Sequence, residues 1–235
     1  MRNLLQRKLR YASVVFAVTI AVALMPLTAQ AVLIDFESGF ANLDPVGTVG
    51  IATFGVGPAG VPTGTGFIAN VGAPQTAFVP NDTPNPATNA GSFFLTDETA
   101  GPSIARNYFI DFSVPVTSLS LDLYDYRVDG GPAIGDTATL TVFSDAARTI
   151  PVGSDTFTIP SPNPVDGNVV SLSISAAPSP ILAASLIFST GDVGTGIDNI
   201  NFAPVPEPST LLLLGLGLAG AGFVSGGRGR RKEMQ

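Results

Sequence analysis

Three stretches of this chain alternate apolar and polar residues with a period of two, and that pattern constrains the fold most. In Ser118-Leu119-Ser120-Leu121-Asp122-Leu123-Tyr124 leucine takes every second place. In Thr137-Ala138-Thr139-Leu140-Thr141-Val142-Phe143 the inward set would be Ala138, Leu140 and Val142, and in Val170-Ser171-Leu172-Ser173-Ile174-Ser175 the two faces separate completely. Successive side chains of a strand point to opposite faces, so these runs predict strands with one buried and one wet face. Further short apolar runs predict strands at 32–36, 66–71, 93–96, 107–112, 155–159, 185–189 and 197–202. About ten short strands separated by Gly/Pro turns point to an all-β domain, an antiparallel two-sheet sandwich. Many of the pairings would join strands distant in sequence, which favours a jelly-roll order. The stretch 72–90, with Pro74, Pro80, Pro84 and Pro86, reads as a long loop or insertion.

Both ends of the chain read differently. Residues 1–10 are basic, 11–27 form an apolar stretch with a late Pro26, and Ala29-Gln30-Ala31 is a small-x-small triplet. That is a secretory signal peptide over 1–31, with signal peptidase expected to cut before Val32. At the other end Val205-Pro206-Glu207-Pro208 precedes an uncharged run from 209 to 227, followed by Arg228-Gly229-Arg230-Arg231-Lys232. The uncharged run is 19 residues long, enough for one transmembrane helix. The positive-inside bias places the arginine cluster in the cytoplasm and Pro-Glu-Pro outside. Pro206 and Pro208 favour an extended backbone just before that helix.

The tripartite order of residues 205–232 closely resembles the PEP-CTERM sorting signal. The resemblance implies recognition of Pro206, Glu207 and Pro208 by an exosortase, a membrane-embedded cysteine transpeptidase-like enzyme of Gram-negative, exopolysaccharide-producing bacteria. Cleavage near that tripeptide would release the body to the cell surface or attach it there. Membrane contact through the C-terminal helix would be transient. A plain tail anchor is the competing reading of the same helix.

Composition limits the chemistry of the delivered segment, 32–204. It holds three arginines, no lysine and sixteen of the 18 acidic residues. Nucleic acid is excluded as a partner, because phosphates require Lys and Arg. An acidic surface suits either simple solubility outside the cell or a divalent cation. The chain has no cysteine and no histidine, which removes disulfides, thiolate and imidazole metal sites and every Ser-His or Cys-His nucleophile. Paired carboxylates remain the one route to acid–base chemistry, and no spacing singles out a pair: Asp97 and Glu98 are adjacent and would point to opposite strand faces. The expectation is a non-catalytic surface or extracellular-matrix component, associated with exopolysaccharide in a biofilm.

The segment opens Leu33-Ile34-Asp35-Phe36-Glu37 and closes Gly196-Ile197-Asp198-Asn199-Ile200-Asn201-Phe202. It resembles the jelly-roll ectodomains of PEP-CTERM proteins, themselves similar to galactose-binding-like carbohydrate modules. That resemblance implies a structural calcium between first and last strands, with Asp35, Glu37 and Asp198 as ligands by position. Independently, Asp35 and Glu37 are two apart and would share one strand face, either around an ion or simply in solvent. Asp122, Asp125, Asp129 and Asp136 lack the spacing of an EF-hand and read as a flexible acidic loop. The alternative function is a calcium-dependent, lectin-like module that binds extracellular polysaccharide. With no tryptophan available, Tyr124 and Tyr126 are the expected exposed rings for stacking on a sugar.

Overall fold

The structure is a computed structural model, and it describes residues 30–58, 60, 62–71, 91–96, 107–124, 126, 133–162, 168–175, 177–190 and 195–205. These all fall within one compact unit, Gln30–Val205. The strands among the described residues are β1 (Val32–Ile34), β2 (Pro45–Val46), β3 (Thr48–Val49), β4 (Ala52–Gly57), β5 (Gly66–Asn70) and β6 (Phe93–Thr96), then β7 (Asn107–Tyr124), β8 (Thr137–Phe143), β9 (Pro151–Thr158), β10 (Val169–Ile174), β11 (Ile181–Phe188) and β12 (Gly196–Pro204). Every strand pairing is antiparallel, and the described residues contain no helix. Segment 72–90, the uncharged run 209–227 expected to form a transmembrane helix and the Pro206-Glu207-Pro208 tripeptide lie outside the described residues, as do residues 1–29.

β7 organises the domain. Its first half pairs with β4 on one edge and β11 on the other; its second half pairs with β10 and β12. One group of strands therefore runs β3-β4-β7-β11-β8-β9, and the other runs β10-β7-β12-β6-β5-β2, with β1 also on β12. The sequence explains how one strand serves both. It gives the core Tyr108, Ile110, Phe112 and Val116 from its first part but Leu119, Leu121 and Leu123 from its second. The parity switches at Thr117-Ser118, between Val116, which is in phase with Phe112, and Leu119, so both halves turn their apolar sides to one core.

That core takes Leu140, Val142, Ala184 and Leu186 from the first group, and Leu121, Leu123, Ile197 and Phe202 from the second. Phe112 and Phe202 meet with ring centroids 5.2 Å apart, joining the two groups directly. Burying such rings stabilises by roughly 1.5–3 kcal/mol each. The alternating runs at 118–124, 137–143 and 170–175 are strands, as their periodicity predicts.

Three differences carry physical reasons. The expected runs 107–112 and 118–124 are one continuous strand, because Pro115 sits at the crossing, where it costs no ladder bond within a flat sheet. β4 was not expected: its Gly55 and Gly57 dilute the apolar alternation of Ala52, Phe54 and Val56. Gly55 is needed there, since a Cβ would strike Pro62. The strand expected over 32–36 stops at Ile34. Phe36 turns into the left-handed region (φ 53°) and buries its ring against Phe54, 5.6 Å away, and Phe40, 5.9 Å away. Asp35 and Glu37 therefore lie in the turn after β1, not on one strand face.

Candidate functional site

The site forms where β12 crosses β7, on the side of those strands opposite the core. The cross-strand register places Asp198 against Asp122 and Gly196 against Tyr124. Leu121, Leu123 and Ile197 point into the core, so Asp122, Tyr124 and Asp198 face the other way. Glu37 reaches the same region from the turn after β1: its Oε1 accepts hydrogen bonds from the backbone N–H of Ser92 (2.7 Å) and Phe93 (3.2 Å). A Cβ on Gly91 would collide with that carboxylate, and Gly91 also adopts φ +57°, so glycine is required there twice over.

Local irregularity shapes the centre. The β12 register shifts between Asp198 and Asn201, and Asn199 adopts a left-handed backbone (φ 49°). This bulge turns the Asn199 amide inward, where Nδ2 donates to Asp122 Oδ2 (3.0 Å) and Tyr124 Oη (3.1 Å). Ser171 Oγ of β10 donates to Asp122 Oδ1. Both Asp122 oxygens are thereby occupied.

Asp198 is different. Its side chain is 1% exposed, and Oδ1 is buried without a hydrogen-bond partner. Burial pushes its carboxyl up to about 8; the Asn199 backbone N–H opposes this, and the negative charges of Glu37, Asp35 and Asp122 reinforce it. The Tyr124 hydroxyl is likewise held well above its ordinary range, first by burial and then by Asp198 and Asp122. An isolated buried carboxylate is costly, so the group needs either a proton or a positive partner. No Lys or Arg among the described residues supplies one here; Arg148 is engaged with Asp111.

The structure thus brings Asp35, Glu37 and Asp198 within electrostatic reach of one another. Asp122 and Asn199 belong with them and were missed. A signal for Asn199 existed: the apolar residues Ile197, Ile200 and Phe202 are spaced three and then two, which requires one extra residue in the strand. Asp122 is separated from its expected loop companions. It is a strand residue, whereas Asp136 closes a turn by accepting from Ala133 N–H, and Asp125 and Asp129 lie outside the described residues. The carboxylates are not gathered into a cage as they stand: among the described residues no three acidic side chains are arranged to hold a metal ion.

The two tyrosines require a correction. Tyr124 and Tyr126 are both 0% exposed, so neither offers a ring to a sugar. Tyr124 packs by Phe94 with centroids 6.4 Å apart. Tyr126 lies 5.0 Å from Phe188, and its hydroxyl donates toward the carbonyls of Thr137 and Thr190, 3.1 Å from each. Flanking charges suggested exposure, but an aromatic ring near a strand end gains more from burial, provided its hydroxyl finds an acceptor.

In comparison with known proteins, residues 204–231 match the PEP-CTERM protein-sorting motif. No curated protein matches the chain. Among solved structures it is similar to the enzymatically active domain of tailspike protein 4 from bacteriophage CBA120, at 17% identity and TM-score 0.30 over 67% of this chain; it spans 20% of that chain's length. It is also similar to a family 11 carbohydrate-binding module from Clostridium thermocellum, solved with a β-1,3-1,4-mixed-linked tetrasaccharide (12% identity, TM-score 0.30, 76% of this chain, 98% of that one). A third is the non-crystalline-cellulose-specific module CBM28 (20% identity, TM-score 0.32, 71% of this chain, 92% of that one). A likeness this loose fixes neither topology nor ligand.

Proposed function

We propose that this chain, which carries a PEP-CTERM protein-sorting motif, is a non-catalytic surface or extracellular-matrix protein whose domain is delivered outside a Gram-negative cell by an exosortase. The motif at 204–231 is the observation that carries the reading. Signal peptidase removes 1–31, the helix at 209–227 holds the chain in the membrane transiently, and exosortase acts at Pro206-Glu207-Pro208. The remaining 32–204 is an antiparallel two-sheet sandwich of jelly-roll type, a reading supported by the two strand groups that share β7 and one core. Its partner is the extracellular polysaccharide of the biofilm. Mass spectrometry of the mature protein from its own host tests this: an N-terminus at Val32 and a C-terminus near Pro206 are expected. A protein that still ends in Gln235 and stays in the inner membrane would overturn it.

One observation favours a second reading, in which the ectodomain is a calcium-dependent carbohydrate-binding module. The buried, partnerless Asp198 Oδ1, close to the negative charges of Glu37, Asp35 and Asp122, is the observation that supports it, because a hard cation would satisfy that oxygen. Asp198, Glu37 and Asp35 would supply the oxygens after their side chains drew together, and the ion would neutralise them. Its role is structural, since a side chain 1% exposed is out of a substrate's reach. With both tyrosines buried, any glycan is held elsewhere on the surface. A glycan array with and without calcium separates the readings: calcium-dependent binding abolished by Asp198→Asn supports the module, and binding to no glycan supports the matrix role. Hydrolysis of a polysaccharide would overturn both.

A further inference from the structure

We infer that the end of β12 and the residue after it, Ala203 to Val205, must peel away from β7 before the sorting tripeptide can be cut, so that the folded domain itself limits its own processing. This rests on the exosortase reading above. Backbone hydrogen bonding continues to the last residue before the tripeptide. Pro204 is registered against Val116, Thr117 Oγ1 donates to Ala203 O (3.2 Å), and Val205 N–H donates to Pro115 O (2.8 Å). Pro206 is the next residue in the chain, so no residue separates this hydrogen bond from the tripeptide.

An enzyme that cleaves a peptide takes it in an extended groove, where its own contacts replace the substrate's strand pairings. Residues just upstream of the tripeptide are therefore claimed twice, once by β7 and once by the enzyme. Cleavage then tracks the population in which this short segment is open.

The segment is built to open locally and stop. Pro204 has no N–H to give the ladder, and the register shifts between Ala203 and Pro204, so the tip is thinly held. One residue further in, Phe202 is 0% exposed and packs on Phe112, while β1 pairs with β12 from Ile200 to Phe202. Peeling is cheap through Ala203 and halts at Phe202. The domain core stays intact while its tail is handled.

The chain has no cysteine, so a staple is unambiguous. Ser118 and Ala203 are cross-strand partners, a separation that suits a disulfide, and the oxidising exterior will form it. Full-length wild type, Ser118→Cys/Ala203→Cys, and the stapled pair carrying about eight flexible Gly/Ser residues inserted between Val205 and Pro206 are each expressed in a host with an exosortase. Conversion of precursor to cut form is followed over time. The staple is expected to slow cutting by about tenfold or more, the effect of forbidding an opening that breaks one or two hydrogen bonds. Dithiothreitol restores the rate, and so does the inserted segment with the staple intact. A stapled chain cut at the wild-type rate overturns the inference, as does an insertion that fails to rescue it. Failure to cut any of the chains, wild type included, overturns the exosortase reading instead.

Discussion

Asp111 and Asp122 sit on the same strand, one in each half of β7, and their surroundings treat negative charge in opposite ways. Asp111 meets Arg148 at 2.7 Å, and that guanidinium also lies over the Phe109 ring, 5.1 Å from its centroid. Asp122 meets only neutral donors, Ser171 and Asn199, and lies across from Asp198, another acid. Arg148 is the sole Lys or Arg among the described residues, and the first region has taken it. One half of the strand is therefore neutralised from within. The other depends on something from outside, a proton or a cation.

The largest test of that contrast is pH. With calcium chelated, Asp198 binds its proton more tightly in the folded state, at about 8 against the ordinary 3.8. Between those values the folded state holds the proton and the unfolded state does not. The stability Asp198 contributes is therefore fully present below 3.8 and lost as pH rises through about 8. The slope approaches about 1.4 kcal/mol per pH unit, on the order of 6 kcal/mol over the window. Asp136 and Asp145 act with the opposite sign and elsewhere. The Ala133 N–H, with Thr190, lowers Asp136; at Asp145 desolvation is the largest single influence and raises it, but the bonds from Thr149 and Ile150 together outweigh it and lower the carboxyl. Their contributions are present above 3.8 and lost as pH falls below it. Urea melts from pH 5 to 9 should show falling stability in wild type and a flatter profile in Asp198→Asn. A flat wild-type profile would remove the contrast between the two halves.

A cation should substitute for the missing proton. Above pH 8, calcium at a hundred times its dissociation constant should raise wild-type stability by about 2.7 kcal/mol. Asp198→Asn should abolish the gain and Asp122→Asn should reduce it, read as midpoint shifts in thermal melts. An equal gain in Asp198→Asn would place any calcium elsewhere.

Somewhat smaller is the effect at Gly196, which pairs with Tyr124 beneath Phe94. A Cβ there would overlap the Phe94 ring, with the Leu95 carbonyl 3.3 Å behind it. Gly196→Ala should cost about 2 kcal/mol by overpacking and weaken any calcium response. A neutral outcome would mean that the Phe94–Tyr124 layer is loose and does not frame the acids.

What the sequence conveyed follows from which interactions repeat. The period-two runs at 118–124, 137–143 and 170–175 fixed strands because one buried face repeats along each of them. β2, β3 and β4 escaped notice because two are only two residues long and the third has glycines where contrast was needed. Asp35, Glu37 and Asp198 were legible through resemblance, by their places on either side of the first and last strands. Asp122 was not, because its significance depends on register: only the pairing of β7 with β12 sets it opposite Asp198. The tyrosines misled for a similar reason. Charged neighbours in sequence say little about a ring that folds back onto Phe94 or Phe188.

The smallest effect belongs to the satisfied half. Arg148 is 10% exposed and Asp111 41%, so water already reaches the acid and can replace much of what the arginine provides. Arg148→Met keeps an unbranched apolar side chain over Phe109 and removes the charge with its long hydrogen bonds to the Ala146 and Ala184 carbonyls; about 1 kcal/mol should be lost. Arg148→Ala should lose more, because it also uncovers a ring that is 1% exposed. The two substitutions thus divide packing from charge, and a double-mutant cycle with Asp111→Asn isolates the ion pair. If Met proves as damaging as Ala, the charge matters more than the cover, and Asp111 is as dependent on a counter-charge as Asp198. The two halves of β7 would then differ only in where that counter-charge comes from.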